Sequence, residues 1–376
     1  MTGPDGPRDS VPLRRRTMLL ALPGMAVAIA APRSSSAASP LAAPGRQSAA
    51  VPEQGSGALH NLMLLVAGPA DAAPGRWARL LAPRLGTALQ AGAALPVSAT
   101  GGRDGVTGAN AFEALTAPDG TTAMLVPGAA AIAWLAGDPR VHFDASRWVP
   151  ALAGLSSGVL VARLPSGASL AGRVMRTAAS TATGAELPAL LGLSMLSADP
   201  APVFGLSEPQ DAEAALHSGR VDAVFLTGHD VPQRLRSLSG MGFQPVFSLG
   251  GSDEDSLAPD PAMASVPAFA ARFRQQTGQA PSGPLFAAWR ATAAAARLDV
   301  ALVLPLLAPP SLVARWRSAC ESVLSDLGLV SAARTAQIDA VPAPECVQAL
   351  ARINADETAQ LALRRWIAGR PDWRPT

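Results

Sequence analysis

The stretch Gly101–Leu125, GGRDGVTGANAFEALTAPDGTTAML, places a glycine-rich loop directly before a short helical run. Pro118-Asp119-Gly120 then predicts a turn that ends the helix, and a strand-like run, Thr121–Val126, follows it. Free backbone N–H groups at the start of a helix favour an anion. The stretch therefore predicts a loop that binds a carboxylate or a phosphate, without a group that could carry out chemistry on it.

Outward from this stretch, strand-like and helical segments alternate along the chain. The predicted strands are Leu62–Ala67, Leu95–Ala99, Val149–Leu155, Val159–Ala162, Pro202–Phe204, Val221–Leu226 and Pro245–Leu249. The predicted helices are Trp77–Leu89, Glu186–Leu193, Asp211–Ser218, Val231–Leu238, Leu312–Leu327 and Glu345–Ile367. This alternation predicts an α/β fold with largely parallel sheets, and 376 residues suit two α/β lobes.

The N-terminus has the layout of a cleaved export signal, predicted over residues 1–38. Arg14-Arg15-Arg16 precedes the apolar run Met18–Ala31, and small residues follow as far as Ala38. The run is shorter than the roughly 20 residues that span a bilayer, and no cysteine follows it as a lipid anchor would require. Arg15-Arg16 resembles a twin-arginine signal, with a general secretory signal as the alternative. We expect a periplasmic protein, with a disordered linker over residues 39–58.

The composition argues against several kinds of site. Hydrophobic residues make up 49% of the chain and the net charge is only +2, so nothing indicates nucleic-acid binding. The four histidines are scattered and no CxxC occurs, which predicts no metal and no cofactor. Cys320 and Cys346 each lie on the apolar face of a predicted helix. They would form a disulfide after export or stay as buried thiols, and an oxidising compartment slightly favours the disulfide.

A G-x-S-x-G pattern, Gly154–Gly158, raises the alternative of an exported hydrolase with Ser156 as nucleophile. That motif needs a helix after the serine, whereas a strand-like run follows here, so a turn between two strands explains it better. Small-residue loops at strand-to-helix junctions offer a ligand site instead, since ligands bind beyond the carboxyl ends of strands in open α/β sheets. These loops are Gly68–Gly75, Thr100–Gly108, Pro127–Ala130, Ala178–Gly184 and Thr227–His229.

Five short segments, in order, resemble the Bug family, the periplasmic solute-binding proteins of tripartite tricarboxylate transporters. They span roughly residues 60–367. The segments are Ala78-Arg79-Leu80-Leu81-Ala82, Gly101–Leu125, Gly219-Arg220-Val221-Asp222-Ala223-Val224-Phe225, Ser265-Val266-Pro267-Ala268-Phe269-Ala270 and Ala308-Pro309-Pro310-Ser311-Leu312-Val313-Ala314-Arg315.

The resemblance implies a class II Venus-flytrap fold whose two lobes close on a ligand. Residues 59–155 and 257–376 would form lobe 1, residues 156–256 would form lobe 2, and two strands would cross near Val159–Arg163 and Pro245–Leu249. It also implies a non-enzymatic, predicted monomeric protein that captures a small organic acid for a membrane permease. The expected ligand-binding residues are Gly75, Arg76, Gly101, Gly102, Thr107, Pro127, Gly128, Ala129, Ser180, Thr181, Thr183, Thr227 and His229.

The first loop departs from the family pattern, since Asp71-Ala72-Ala73 stands where the family has a glycine run. The second loop inserts the charged pair Arg103-Asp104. These departures favour an atypical, cationic or zwitterionic ligand or a loss of tight binding. The alternatives to transport are a periplasmic sensor that presents its ligand to a sensor kinase and a degenerate homologue that binds nothing.

Overall fold

The computed structural model describes residues 61–90, 95–165, 168–251 and 258–373, so the predicted export signal and linker lie outside the described residues. The strands are β1 (Met63–Ala67), β2 (Val97–Thr100), β3 (Thr122–Val126), β4 (Val149–Leu155), β5 (Gly158–Ala162), β6 (Val174–Ala178), β7 (Asp199–Val203), β8 (Ala223–Thr227), β9 (Gln244–Ser248), β10 (Leu298–Leu304) and β11 (Asp339–Pro342). The helices are α1 (Ala73–Ala88), α2 (Val106–Leu115), α3 (Gly128–Ala136), α4 (Leu187–Met195), α5 (Pro209–His217), α6 (Val231–Gly240), α7 (Phe269–Thr277), α8 (Pro284–Arg297), α9 (Pro310–Leu324), α10 (Leu327–Thr335), α11 (Ala343–Ile353) and α12 (Glu357–Ala368). Within these ranges, no helix has both the length and the apolar composition needed to span a bilayer.

The strands form two mixed sheets. The first sheet has the order β11-β4-β10-β3-β1-β2, in which β1 runs parallel to β2 and β3 while β10 runs antiparallel to β3 and β4. The second sheet has the order β7-β6-β8-β5-β9, in which β6 is parallel to β7 and β8 while β5 is antiparallel to β8 and β9. The α/β prediction is confirmed. The prediction of largely parallel sheets is wrong, because β5 and β10, the first strand in each sheet after the chain has changed sheets, enter antiparallel to their neighbours.

The chain leaves the first sheet through a two-residue connection, Ser156-Ser157, between β4 and β5. The two segments expected to cross between lobes, Val159–Arg163 and Pro245–Leu249, overlap β5 and β9. These strands are antiparallel neighbours inside the second sheet. The change of sheet therefore takes place just before the first of these two segments.

Helix α1 shows why the periodic segments were predictable. Trp77, Leu81 and Leu85 recur at a spacing of four residues and are all buried, in the same apolar cluster as Leu64 of β1. Pro74 stands in the first turn, where its missing N–H removes no helical hydrogen bond. The apolar face of the helix is thus the face that covers the first sheet.

The C-terminal third differs from expectation in its details. The segment Glu345–Ile367 is two helices, α11 and α12, because Asp356 caps the second one by accepting a hydrogen bond from the Ala359 N–H at 2.7 Å. Helix α8 and strand β10 did not emerge from the sequence patterns. Strand β10 occupies an interior place in the first sheet, where every one of its residues is buried.

One apolar cluster contains residues from both sheets and from the helices behind them. Trp289 of α8 is fully buried at its centre and stacks on Phe269 with ring centroids 4.1 Å apart. Its Nε1 donates a hydrogen bond of 3.0 Å to the carbonyl oxygen of Pro188 in α4. This side of the molecule is therefore held together by shared packing.

The structure does not support the predicted disulfide. Cys320 and Cys346 are both free thiols, fully buried in separate apolar clusters. Burial raises the pKa of the Cys320 thiol far above its usual range and that of Cys346 to about 12. Both therefore remain protonated and act as small apolar side chains.

Candidate functional site

A cleft of about 740 Å³ is lined by residues attached to both sheets. Its walls follow the carboxyl ends of the parallel strands β1, β2, β7 and β8, the edge at which ligands bind in α/β sheets. The lining residues are Asp71, Ala72, Ala73, Arg76, Arg103, Ser207, Glu208, Pro209, Gln210, Glu213, Thr227, Gly228, His229, Asp230, Gln233, Arg234, Ser237 and Asp299.

Three helices begin at this cleft. Ala72 and Ala73 stand at the start of α1, Glu208 and Pro209 at the start of α5, and Asp230 at the start of α6. Each helix N-terminus carries unpaired N–H groups and about half a positive charge. The convergence of three such ends, drawn from both sheets, favours a negatively charged group within the cleft.

Arg103 joins the two sides of the cleft. Its Nε lies 2.5 Å from Glu208 Oε1 at the start of α5, and its Nη2 pairs with Asp71 ahead of α1. Arg103 of the charged insertion thus neutralises the acid at Asp71. All three side chains are partly exposed, so water and salt screen these attractions.

Asp299 stands at an irregularity in β10. The register with β4 shifts between Leu298 and Val300, so Asp299 is the extra residue of a β-bulge, a feature that re-aims a side chain. Its carboxylate lines the cleft although the residue is only 7% exposed. Oδ2 accepts a hydrogen bond of 2.8 Å from Nε1 of Trp77.

The other oxygen, Oδ1, lies beside Gly228, where an added Cβ would be 3.2 Å away. Burial raises the pKa of the Asp299 carboxyl, and the hydrogen bond from Trp77 and the charges of Arg76 and His229 offset only part of that rise. A buried carboxylate that faces a cleft at a β-bulge is arranged to meet a cationic group.

Ser156 is a structural residue of the connection between the sheets. It is 2% exposed, and its Oγ donates to the Arg297 carbonyl oxygen at 3.3 Å and accepts from the Gly228 N–H at 3.2 Å. Strands β4 and β5 lie on either side of it, without the helix that a nucleophile elbow needs. The Gly154–Gly158 motif is therefore a turn that joins strands and anchors the loop after β8.

The structure places three of the predicted ligand residues at the cleft, namely Arg76, Thr227 and His229. The Thr227 Oγ1 donates to the Ala296 carbonyl oxygen at 2.8 Å, which holds this loop against the end of α8. The predicted residues that do not line the cleft are Gly75, Gly101, Gly102, Thr107, Pro127, Gly128, Ala129, Ser180, Thr181 and Thr183.

Packing explains several of these positions. A Cβ on Gly75 would lie 2.3 Å from the Ala70 carbonyl oxygen, and one on Gly128 would lie 1.8 Å from the Ala295 carbonyl oxygen. These glycines allow close approach of backbones. Gly101 has a φ of 93°, which other residues rarely adopt.

The loop before α4 makes its own polar contacts. Ser180 Oγ donates to Glu186 at 2.8 Å, and Thr183 Oγ1 donates to Asp138 at 2.6 Å, which links this loop to the end of α3. Burial raises the pKa of Glu186 despite the hydrogen bonds from Ser180. Two of the hydroxyls expected to meet a ligand, those of Ser180 and Thr183, thus already bind carboxylates.

Sequence reasoning missed Asp299, Glu208, Glu213 and Arg234. A signal for Asp299 was present, because a single acid interrupts the apolar run LDVALVL, and buried acids are rare without a partner. Glu208, Glu213 and Arg234 carry no such signal, since charged residues are ordinary on exposed helix faces.

Comparison with known proteins supports the fold. No protein-family model matches the sequence, and a search of curated proteins gave no match. Among solved structures, a TctC solute-binding protein from Polaromonas without ligand has a TM-score of 0.59 at 13% identity over 83% of this chain and 99% of that one. MatC from Rhodopseudomonas palustris with bound malate has a TM-score of 0.51 at 18% identity, over 82% and 98% of the two chains. A further R. palustris protein, with adipate, has a TM-score of 0.50 at 16% identity over 83% and 98%. The chain therefore has the α/β fold of these three proteins.

Proposed function

We propose that this protein is an exported, non-enzymatic solute-binding protein that captures a small organic acid in the cleft between its two sheets. The observation that carries the proposal is the convergence of three helix N-termini and Arg76 on one cleft. Helix N-termini and a guanidinium group are common partners of carboxylates in proteins.

The size of the cleft and the ligands of two proteins with the same fold support this proposal. A volume of about 740 Å³ lies within the usual range for small-molecule sites. Two proteins of the same fold were solved with the dicarboxylates malate and adipate. An acid of comparable size fits the proposed site.

We assign residues 59–155 and 257–376 to lobe 1 and residues 156–256 to lobe 2, with closure of the lobes around the ligand. The short connection Ser156-Ser157 and the ion pair between Arg103 and Glu208 support a closing motion across the cleft. A ligand should then reduce the radius of gyration measured by small-angle X-ray scattering. An unchanged radius on saturation would contradict closure.

Export through the signal over residues 1–38 places the protein in the periplasm. Replacing Arg15-Arg16 by two lysines should retain a fused reporter in the cytoplasm if the twin-arginine route is used, whereas the general secretory route tolerates lysine. A reporter that stays in the cytoplasm even with the unaltered signal would contradict export. From there, the loaded protein would deliver its ligand to a membrane permease.

Thermal-shift measurement against organic acids tests the capture of a solute directly. A ligand present at 100 times its Kd should stabilise the folded state by about 2.7 kcal/mol. The variant R76Q should lose this response, whereas R290Q, at an exposed position of α8 outside the cleft lining, should keep it. A flat response of the folded protein to every carboxylate would refute the proposal.

A further inference from the structure

The cleft contains more negative than positive groups. Its lining includes five carboxylates and three guanidinium groups, with one imidazole from His229. A dicarboxylate would add two negative charges to an already acidic site, and like charges at close range are unfavourable. A ligand that carries an ammonium group besides its carboxylate would offset this excess of negative charge.

Most of these charged groups already have a partner within the cleft. The pairs are Arg103 with Asp71 and Glu208, Arg234 with Glu213, and His229 with Asp230. Within the described ranges, Arg76 and Asp299 form no ion pair. One cation and one anion thus remain available to a ligand.

Asp299 is prepared for a cationic partner. Trp77 engages Oδ2 at 2.8 Å, while Oδ1 stays next to Gly228 at the cleft. A largely buried carboxylate is costly unless an opposite charge or several hydrogen bonds compensate it. A ligand ammonium group beside Oδ1 would supply both.

Arg76 is prepared for the opposite end of the same ligand. Its Nη1 donates to the Asp71 carbonyl oxygen at 2.8 Å, which orients the guanidinium group at the start of α1. The remaining N–H groups of a guanidinium can bind a carboxylate.

We propose that the solute is a zwitterionic α-amino acid, whose carboxylate binds Arg76 and whose ammonium group binds Asp299. This inference rests on the proposed capture of an organic acid and specifies its chemical class. Asp299 is then the residue that makes the site selective for an amino acid over the corresponding acid without an amino group.

Matched ligands test this inference in titration calorimetry with the purified protein. The panel contains the standard α-amino acids together with their deamino acids and amines, such as L-leucine with 4-methylpentanoate and 3-methylbutylamine, or L-glutamate with glutarate and 4-aminobutanoate. We expect one α-amino acid to bind at least about tenfold more tightly than its deamino acid, the usual effect of a charge-assisted hydrogen bond.

Variants identify the groups responsible. D299N, which can still accept the hydrogen bond from Trp77, should weaken amino-acid binding about tenfold or more and leave the deamino acid unaffected. R76Q should weaken both ligands. E113Q removes a carboxylate that is paired with Arg147 at 3.1 Å outside the cleft lining, and it should change affinity by less than about threefold. Circular dichroism melting shows whether each variant is folded.

Two results would overturn the inference while leaving the proposed function in place. The first is unchanged affinity of D299N for the amino acid, and the second is tighter binding of glutarate or 4-methylpentanoate than of the matching amino acids. Failure of every carboxylate and every amino acid to bind the folded protein would contradict the inference and the proposed function together.

Discussion

At the residue scale, Asp299 shows how burial changes the pKa of a carboxyl group and thereby its contribution to stability. Its pKa is raised in the folded protein, mainly by burial, so the folded state binds a proton more tightly than the unfolded state. Stability from this group is therefore present at low pH and is lost as pH rises from the ordinary value of 3.8 through the raised pKa. D299N should melt at a higher temperature than the unaltered protein at about pH 8, with little difference at about pH 4.

Asp119 provides a control because its pKa is shifted in the opposite direction from that of Asp299. Hydrogen bonds from the N–H and hydroxyl of Thr121, at 2.9 and 2.7 Å, lower its pKa in the folded state. Its stabilising effect is thus present above pH 3.8 and is lost as pH falls through the lowered pKa. D119N should melt below the unaltered protein at about pH 8. Equal effects of the two substitutions would contradict the assigned charge states.

Gly128 is predicted to tolerate no side chain. The Cβ of G128A would overlap the Ala295 carbonyl oxygen, a backbone atom that cannot rotate away, so α3 must move off α8. We expect a loss of at least about 1–3 kcal/mol in the free energy of unfolding, measured by urea denaturation.

Gly240 is the matched control at the exposed end of α6. A Cβ there meets no atom of the described part of the chain within 4 Å, and its φ is not positive. G240A should leave the free energy of unfolding unchanged or raise it by up to about 1 kcal/mol, because alanine restricts the unfolded chain. A similar loss in both variants would show that the packing argument at Gly128 is wrong.

At the scale of elements, helices α8 and α4 are joined by the indole of Trp289. W289F keeps an aromatic ring but removes the donor to the Pro188 carbonyl oxygen, so the hydrogen bond between α8 and α4 is lost. The expected cost of that lost bond is about 0.5–1.5 kcal/mol in the free energy of unfolding.

Trp148 provides the comparison for that substitution. It is 6% exposed and stacks on Phe143, and its buried Nε1 has no hydrogen-bond partner among the residues that the structure describes. W148F removes a donor that makes no bond, so it should cost less than W289F in the same denaturation experiment. A larger loss for W148F would contradict the role assigned to the bond between α8 and α4.

At the scale of the whole molecule, Arg103 and Glu208 connect the two sheets across the cleft. Both side chains are about 40% exposed, so the pair should add only about 0.2–1 kcal/mol to stability. In a double-mutant cycle with R103Q and E208Q, we expect coupling in ligand affinity that weakens with added salt.

Arg147 and Glu113 form a comparable exposed pair, 3.1 Å apart, but away from the cleft. A double-mutant cycle with R147Q and E113Q should show a similarly small coupling energy in stability and no coupling in ligand affinity. Coupling to affinity in both cycles, or in neither, would contradict a role for Arg103 and Glu208 in closing the cleft.

The limits of prediction follow from what local patterns contain. The spacing of Trp77, Leu81 and Leu85 predicts α1 because burial on one helix face leaves a periodic trace. Apart from Asp299, strand β10 is an apolar run that follows an alanine-rich helix, and such a run has no alternation from which a strand could be predicted. Arg76 and His229 were identified because they lie in the first turn of α1 and in the loop before α6, whereas local patterns carry no sign of the close backbone packing at Gly75 and Gly128.

The sequence alone was enough to assign the α/β class and the loops at strand ends, and to predict the export signal. Hydrophobic periodicity, turn residues and the order of charged and apolar residues are all properties of neighbours in the chain. The pairing of Arg103 with Glu208, the free thiols, and the open carboxylate of Asp299 depend on residues far apart in the chain. Only the bulge between β10 and β4 turns Asp299 towards the cleft, because register between distant strands decides which way a side chain faces.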